Sequence, residues 1–230
     1  MIERATLGLW LLASCFVVAA GCQSIPHPDM WPFPDYERTS YHTPSMRVDA
    51  VRQFASRSTH VDSPEQRKLT DQLARQIQIE PDPLVRLAVV ETVTEFKTPM
   101  AQQVLEAGLS DEDRTVRVAC CKALGTRGDA TSIPKLAATV RTDKDMDVRL
   151  AATAALGKFK SPEAIQAISV ALDDRDPAMQ YVAVQSMKGV TGKDYGPNVE
   201  AWRQVARGET PAPQPAPSIA ERFKSYSPFR

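Results

Sequence analysis

The chain has 230 residues, which is enough for one ordinary domain together with terminal segments. It carries 28 lysines and arginines against 28 aspartates and glutamates, so its formal net charge is zero. A neutral chain lacks the basic face that general nucleic-acid binding requires, and this argues against nucleic acid as a partner.

The first residues have the pattern of an export signal. Residues 1–4 include an arginine, residues 5–20 are mostly apolar, and small residues lead to Cys22. The apolar run is shorter than the roughly 20 residues of a membrane-spanning helix. The pattern therefore predicts a signal peptide over residues 1–21, which processing would remove.

The residues before Cys22, Ala19-Ala20-Gly21, resemble a bacterial lipobox. The resemblance implies that Cys22 becomes acylated and anchors the chain to a membrane, since two or more acyl chains hold firmly. Cys15 is a second candidate, because Leu12-Ala13-Ser14 fits the box better but leaves a shorter apolar run. A third interpretation is that the N-terminus is an ordinary secretory signal peptide. By resemblance, Gln23 implies the outer membrane, facing the periplasm.

Residues 22–62 are interpreted as a tether. Residues 23–44 combine prolines and aromatic residues without periodicity, and proline disfavours regular helix there. From Ser45 to about Ser58 a short helix is predicted, because Val48, Val51 and Phe54 recur at helical spacing.

The middle of the chain repeats the motif Asp-x-x-Val-Arg-x-Ala. It begins at Asp82, Asp113 and Asp145, and a worn fourth copy begins at Asp176. The valine positions are 85, 116, 148 and 179, the last of them occupied by methionine, so the steps are 31, 32 and 31 residues. A constant period of this length is typical of a solenoid.

Each period is predicted to contain two helices, the second of which starts after the motif aspartate. Signals that cap a helix N-terminus introduce the first helices. They begin at Ser63, Thr98, Ser132 and Ser161. Gly125 and Gly157 are predicted to end two of the second helices as C-terminal caps.

The segments 113–125 (DRTVRVACCKALG) and 145–157 (DMDVRLAATAALG) carry the longest form of the motif. They resemble the HEAT family, in particular the short bacterial HEAT-like repeats also found in phycobilin lyases. The resemblance covers residues 63–207. It implies an all-α, right-handed α-solenoid of helix pairs, flanked by irregular N- and C-terminal tails.

The same resemblance assigns the recurring charges of the motif to repeat stacking. In such repeats, arginines reach an aspartate of a neighbouring repeat and form a ladder. The stacking residues implied here are Asp82, Arg86, Asp113, Arg117, Asp145, Arg149 and Asp176. The aspartates also lie where a helix N-terminus needs a cap. The alternative is a basic stripe that binds acidic ligands.

The C-terminal part closes the repeats and then changes character. Residues 192–202 resemble a closing motif of exported bacterial HEAT-like proteins, with Tyr195 and Trp202 covering the open end of the core; an aromatic ligand site is the alternative. Residues 208–217 form a proline-rich linker. Residues 218–230 are apolar and basic, and form either a docking peptide or a tail without a role. The candidate docking residues are Ile219, Phe223, Tyr226 and Phe229.

No catalytic residues, metal site or cofactor are predicted. The three histidines precede the repeats without metal-ligand spacing, and Cys120 and Cys121 are best explained by packing on two faces of a helix. The sequence thus predicts a membrane-anchored scaffold or adaptor that binds a still unidentified protein at the cell envelope. A lyase-like catalytic HEAT protein and a structural envelope spacer are the alternatives.

Overall fold

The computed structural model describes residues 43–57 and 63–211. Within these ranges the chain forms ten α-helices and no strand, so the predicted all-α repeat solenoid is confirmed. The helices are α1 (Pro44–Arg57), α2 (Pro64–Ile79), α3 (Pro83–Glu95), α4 (Pro99–Ala107), α5 (Arg114–Arg127), α6 (Ile133–Thr142), α7 (Met146–Leu156), α8 (Pro162–Leu172), α9 (Pro177–Thr191) and α10 (Val199–Ala206). None of these described helices is both long and apolar enough to cross a membrane.

The helices form two layers. The second helices of the pairs, α3, α5, α7 and α9, pack side by side in chain order, with α1 ahead of them. The first helices, α2, α4, α6 and α8, form the other layer, and α10 continues it beyond α8. Packing is close throughout the second-helix layer, whereas α4 and α6 barely touch each other.

The motif position that carries valine supplies the centre of the core in every repeat. Val85, Val116 and Val148 are fully buried, and Met179 takes the same position in the fourth copy. Burial of such a side chain stabilises the fold by about 1.5–3 kcal/mol. The same position in each repeat therefore contributes a similar apolar contact between the two layers.

Three of the four predicted N-terminal caps are present. The hydroxyl groups of Ser63, Thr98 and Ser161 accept hydrogen bonds from the amide three residues later, at 3.1–3.2 Å. Ser132 does not cap, because it ends a short 3₁₀ turn (Ala130–Ser132) and has helical backbone angles itself. Its hydroxyl instead accepts a hydrogen bond from Gln102 at 2.6 Å.

Of the two motif glycines predicted as C-terminal caps, Gly157 caps its helix and Gly125 does not. Helix α5 continues past Gly125 to Arg127, and Gly128, with φ 70°, is its cap. Gly157 ends α7 with a right-handed φ of −61°. A Cβ on Gly125 would lie 2.9 Å from the Ala155 Cα, and one on Gly157 would lie 2.8 Å from the Ser186 Cα. These glycines allow neighbouring second helices to approach closely.

Replacing Gly125 with alanine should therefore destabilise the fold, although alanine favours helix. Overpacking costs about 1–3 kcal/mol, and the gain in helix propensity offsets at most about 1 kcal/mol. Urea unfolding followed by circular dichroism measures the difference, and Gly125→Val should cost more than Gly125→Ala. A Gly125→Ala protein more stable than the wild type would contradict the close approach.

The packed helices begin earlier than residue 63, the predicted start of the repeats. Helix α1 lies within the segment interpreted as tether, yet it packs along α3. Arg47 of α1 pairs with the carboxylate of Glu80 at 2.9 Å. Thr43 and Arg47 have the spacing of Asp82 and Arg86, so α1 is the second helix of an incomplete first repeat.

Candidate functional site

A ladder of arginines and carboxylates runs along the loops between first and second helices. The Arg86 guanidinium donates two hydrogen bonds to the Asp111 carboxylate, both at 2.9 Å, and one to Glu112 at 3.1 Å. It also donates to the backbone carbonyls of Glu80 and Pro81, at 3.1 and 3.0 Å. One arginine thereby fixes its own loop and the loop of the next repeat.

Arg117 repeats this arrangement one period later. It donates to both carboxylate oxygens of Asp143, at 2.9 and 3.2 Å, and to Asp145 at 2.5 Å. Its third nitrogen donates to the carbonyls of Asp111 and Glu112. The side chains of Arg117 and Asp143 are 5% and 9% exposed, so this pair is largely shielded from water.

The main carboxylate of each rung lies two residues before the motif aspartate that the sequence analysis assigned to stacking. Glu80, Asp111 and Asp143 hold these positions. The signal was available, since an acidic residue stands two positions before all four motif aspartates, the last being Asp174.

The motif aspartates mainly cap their own helices. The carboxylates of Asp82, Asp113 and Asp176 accept hydrogen bonds from the amide two residues later, at 2.7–2.8 Å. Asp145 makes no such cap, and its carboxylate binds Arg117 instead. In the loops that precede α3 and α5, capping and stacking are thus divided between two carboxylates.

Hydrogen bonding decides the ionisation of the ladder. Burial acts to raise the pKa of Asp143, but the hydrogen bonds from Arg117 and from the Asp145 amide outweigh it, and the pKa lies below its ordinary value. The hydrogen bond to Asp143 raises the pKa of Arg117, which burial only partly opposes. The hydrogen bond to Asp111 raises the pKa of Arg86 in the same way. The Arg117–Asp143 rung is therefore ionised at neutral pH.

The ladder stops at Arg149, where the prediction of an acidic partner is wrong. Within the described residues Arg149 donates to the Asp143 carbonyl at 3.0 Å and contacts the Met146 sulfur at 3.4 Å, but no carboxylate. The next position holds Gln180, whose amide donates to the Asp174 carbonyl at 2.8 Å. The fourth copy thus keeps the contact to its own loop and loses the rung between repeats.

A polar seam runs beside α4, in the repeat of α4 and α5. Fourteen positions after the motif aspartate, the neighbouring repeats have the buried Phe96 and Phe159, but this repeat has Arg127. The Arg127 guanidinium donates to the Phe96 carbonyl and, at 3.0 Å, to Gln102. Burial lowers the pKa of Arg127.

The same seam holds the bridges between α4 and α6. Gln102 donates to the Ser132 hydroxyl at 2.6 Å and to Glu106 at 2.8 Å, and Lys135 pairs with Glu106 at 2.6 Å. Polar side chains thus take the place of direct contact between these two helices. The remaining space is an open groove of about 800 Å³, whose lining includes Leu109, Thr139, Arg117 and Asp143.

The end of the stack is covered by aromatic residues, at the positions predicted for the end cap. Trp202 of α10 is fully buried, and its indole nitrogen donates to the Gly196 carbonyl at 2.9 Å. The Tyr195 ring meets it edge-on, with centroids 5.3 Å apart and planes at 75°. Arg203 donates to the Leu172 carbonyl at 2.8 Å and so ties α10 to the end of α8.

The described cysteines are packed in the core. Cys120 and Cys121 are free thiols with no exposed surface. Burial raises the pKa of both thiols, for Cys121 to about 12, so neither forms the reactive thiolate at neutral pH. The Cys120 sulfur fills the space beside Gly108, where a Cβ would lie 2.4 Å from it.

In the part of the chain that the structure describes, no group of three or more histidine, cysteine, aspartate or glutamate side chains is placed to hold a metal ion. The candidate lipidation site Cys22 lies outside the described residues, as do Cys15 and the tail residues Ile219, Phe223, Tyr226 and Phe229.

Comparison with known proteins agrees with this geometry. The family described as HEAT repeats matches residues 67–157, 104–188 and 139–201, which together cover more than half of the chain. The chain belongs to the HEAT repeat family. HEAT repeats stack into extended surfaces that suit scaffold and adaptor functions.

This HEAT repeat protein is also similar to a curated relative, the "Uncharacterized phycocyanin operon protein Z" of Pseudanabaena tenuis (strain PCC 7409). The two are 35% identical over 91 residues, which is 36% of this chain and 45% of that protein. The matched part therefore spans less than half of the relative's length.

Proposed function

We propose that this protein is a lipid-anchored adaptor that binds a protein partner at the cell envelope. The observation that supports it best is the second-helix layer, in which α1, α3, α5, α7 and α9 pack side by side without interruption. Buried arginine–carboxylate rungs connect successive repeats between α1 and α7. A surface that is ordered before binding loses little conformational entropy when a partner docks.

The anchor follows from the sequence around Cys22. Acylation there would hold the repeats near a membrane, since 20 residues lie between Cys22 and the first described residue, Thr43. Confinement near one membrane raises the local concentration of a partner that shares it. Gln23 favours the outer membrane, with the repeats facing the periplasm.

Fractionation of cells labelled with a palmitate analogue tests the anchor. Wild-type protein and the Cys15→Ser control should be labelled and sediment with membranes. Cys22→Ser should lose the label and the membrane association. Labelling that disappears only in Cys15→Ser would move the anchor to that cysteine, and an unlabelled wild type would overturn the anchor altogether.

Chemical crosslinking of intact cells tests the adaptor function. A partner recovered with the full chain, and also with a chain that ends at Gly208, would place binding on the repeats. Loss of the partner with the shorter chain would place binding on the tail. Turnover of a small molecule without any partner would favour a catalytic protein, and a protein that crosslinks only to cell wall would favour a spacer.

A further inference from the structure

The second helices share one face that points away from the first-helix layer. On α7 and in the turn that follows it, Leu150, Ala154 and Lys158 are at least partly exposed, whereas Val148 and Ala152 are buried. The three exposed positions follow the capping residue by five, nine and thirteen places, which is the spacing of one helix face. We call the surface formed by these positions on all five helices the second-helix face.

Equivalent positions on neighbouring helices lie beside each other on this face. Arg52 and Glu91, both nine places after their caps, form an ion pair at 3.4 Å. Lys158 and Thr126, both thirteen places after theirs, form a hydrogen bond at 3.1 Å. The positions therefore form straight rows across the stack, one residue from each helix.

The row five places after the caps is apolar from end to end. Its first four members are half-buried against the core, and the last, on α9, is 65% exposed. The members are Val48, Leu87, Val118, Leu150 and Tyr181. Because packed helix axes lie about 8–10 Å apart, apolar side chains recur along the row at about that interval.

The charges beside this row differ between its two halves. On α1 and α3, Arg52 and Glu91 neutralise each other. Lys122 of α5 and Lys158, in the turn after α7, are exposed and form no ion pair with a carboxylate among the described residues. Arg114 and Asp147, at the other side of the row, neutralise each other at 2.8 Å. The half that contains Val118, Leu150 and Tyr181 thus has a positive flank.

We propose that the second-helix face of α5, α7 and α9 binds an acidic, apolar segment of a protein partner. The segment would place apolar side chains about 10 Å apart against Val118, Leu150 and Tyr181. Its carboxylates would lie beside Lys122 and Lys158, which electrostatic complementarity favours. This inference rests on the proposed adaptor function and assigns its binding face.

The geometry favours a protein segment over a lipid surface. Val118 and Leu150 are half-buried between neighbouring helices, so they offer a row of shallow contacts and cannot insert into a bilayer. Two lysines on a chain of zero net charge also give little attraction to an anionic membrane. A peptide with side chains at a matching interval can contact every member of the row.

Site-specific photocrosslinking in cells tests the proposal on the full chain. The photoreactive residue p-benzoylphenylalanine replaces Tyr181 on the proposed face, Thr139 in the groove between α4 and α6, or Val170, which is exposed on α8 of the first-helix layer. The expected adduct forms from position 181 and not from positions 139 or 170. Mass spectrometry of the adduct should identify a peptide that is rich in carboxylates and apolar residues.

Charge reversal supplies the matched control. In the protein with the photoreactive residue at position 181, the double change Lys122→Glu and Lys158→Glu should reduce the adduct at least about tenfold. Both lysines are exposed, so the thermal unfolding of this variant should match the parent protein. Lys144→Glu, on an exposed lysine beside the groove, should leave the adduct unchanged.

The outcomes separate this inference from the adaptor function. Adducts from position 139 or 170 alone would overturn the binding face and leave an adaptor. An adduct with a phospholipid, with a basic peptide, or one that survives the charge reversal would overturn the proposed chemistry. No protein adduct from any of the three positions would overturn both the face and the adaptor function.

Discussion

Replacing Arg117 with alanine is expected to destabilise the protein by about 3 kcal/mol or more. The change removes the partner of a carboxylate, Asp143, whose side chain is 9% exposed, and it breaks the rung to Asp145 as well. It also leaves the carbonyls of Asp111 and Glu112 without their donor. Urea unfolding monitored by circular dichroism measures the loss, with hydrogen exchange locating it between α5 and α7.

Arg149 provides the control, because it has the same motif position but no carboxylate partner among the described residues. Arg149→Ala should cost no more than about 1 kcal/mol, the value of one lost hydrogen bond. Equal losses from the two variants would contradict the assignment of the ladder to Arg86 and Arg117.

The ladder also predicts how acid acts on the fold. Burial alone would raise the pKa of Asp143, but its hydrogen bonds lower it below the unfolded value of about 3.9. The ionised carboxylate therefore contributes stability above that pH, and the contribution is lost as pH falls through the folded-state pKa. The acid loss of stability should be smaller in Arg117→Ala than in the wild type, in unfolding curves measured from neutral pH to pH 3.

Replacing Trp202 with alanine should expose the end of the stack. Removal of a fully buried tryptophan costs about 3–5 kcal/mol. Because each repeat contacts only its neighbours, the loss should fall on α8, α9 and α10 and spare α3 and α5. Hydrogen exchange read by mass spectrometry should show faster exchange in the last three helices alone.

The conservative change Trp202→Phe separates packing from hydrogen bonding. It keeps a ring in the core beside Tyr195 and removes the donor to the Gly196 carbonyl. The expected loss is about 1–2 kcal/mol, mostly that of one hydrogen bond. A Trp202→Ala protein whose exchange is unchanged in α8–α10 would contradict the capping function of this side chain.

Much of this fold could be predicted from the sequence because each repeat places the same residue types at the same positions of a helix pair. The motif position of valine, taken by Met179 in the last copy, enters the core in every copy. Serine or threonine followed by proline starts a first helix at Ser63, Thr98 and Ser161. These features depend on local sequence and on periodicity, which a single chain displays directly.

The features that escaped prediction depend on contacts between repeats. Gly125 stands at a position where a left-handed cap is usual, and only the closeness of Ala155 shows its packing function. Arg149 has the full motif around it, but it forms no rung with Asp174 of the worn copy. The row from Val48 to Tyr181 depends on the register of neighbouring helices, which the ion pair of Arg52 and Glu91 shows.

The seam at Arg127 has a mechanical consequence. Phe96 and Phe159, which hold the position of Arg127 in the neighbouring repeats, are buried, and exposing such side chains to water is unfavourable. At the seam, α4 and α6 are joined by hydrogen bonds and one ion pair, which water can replace at little cost. The second helices α5 and α7 stay in close contact opposite this gap. Under tension or bending, the solenoid should therefore deform first between α4 and α6.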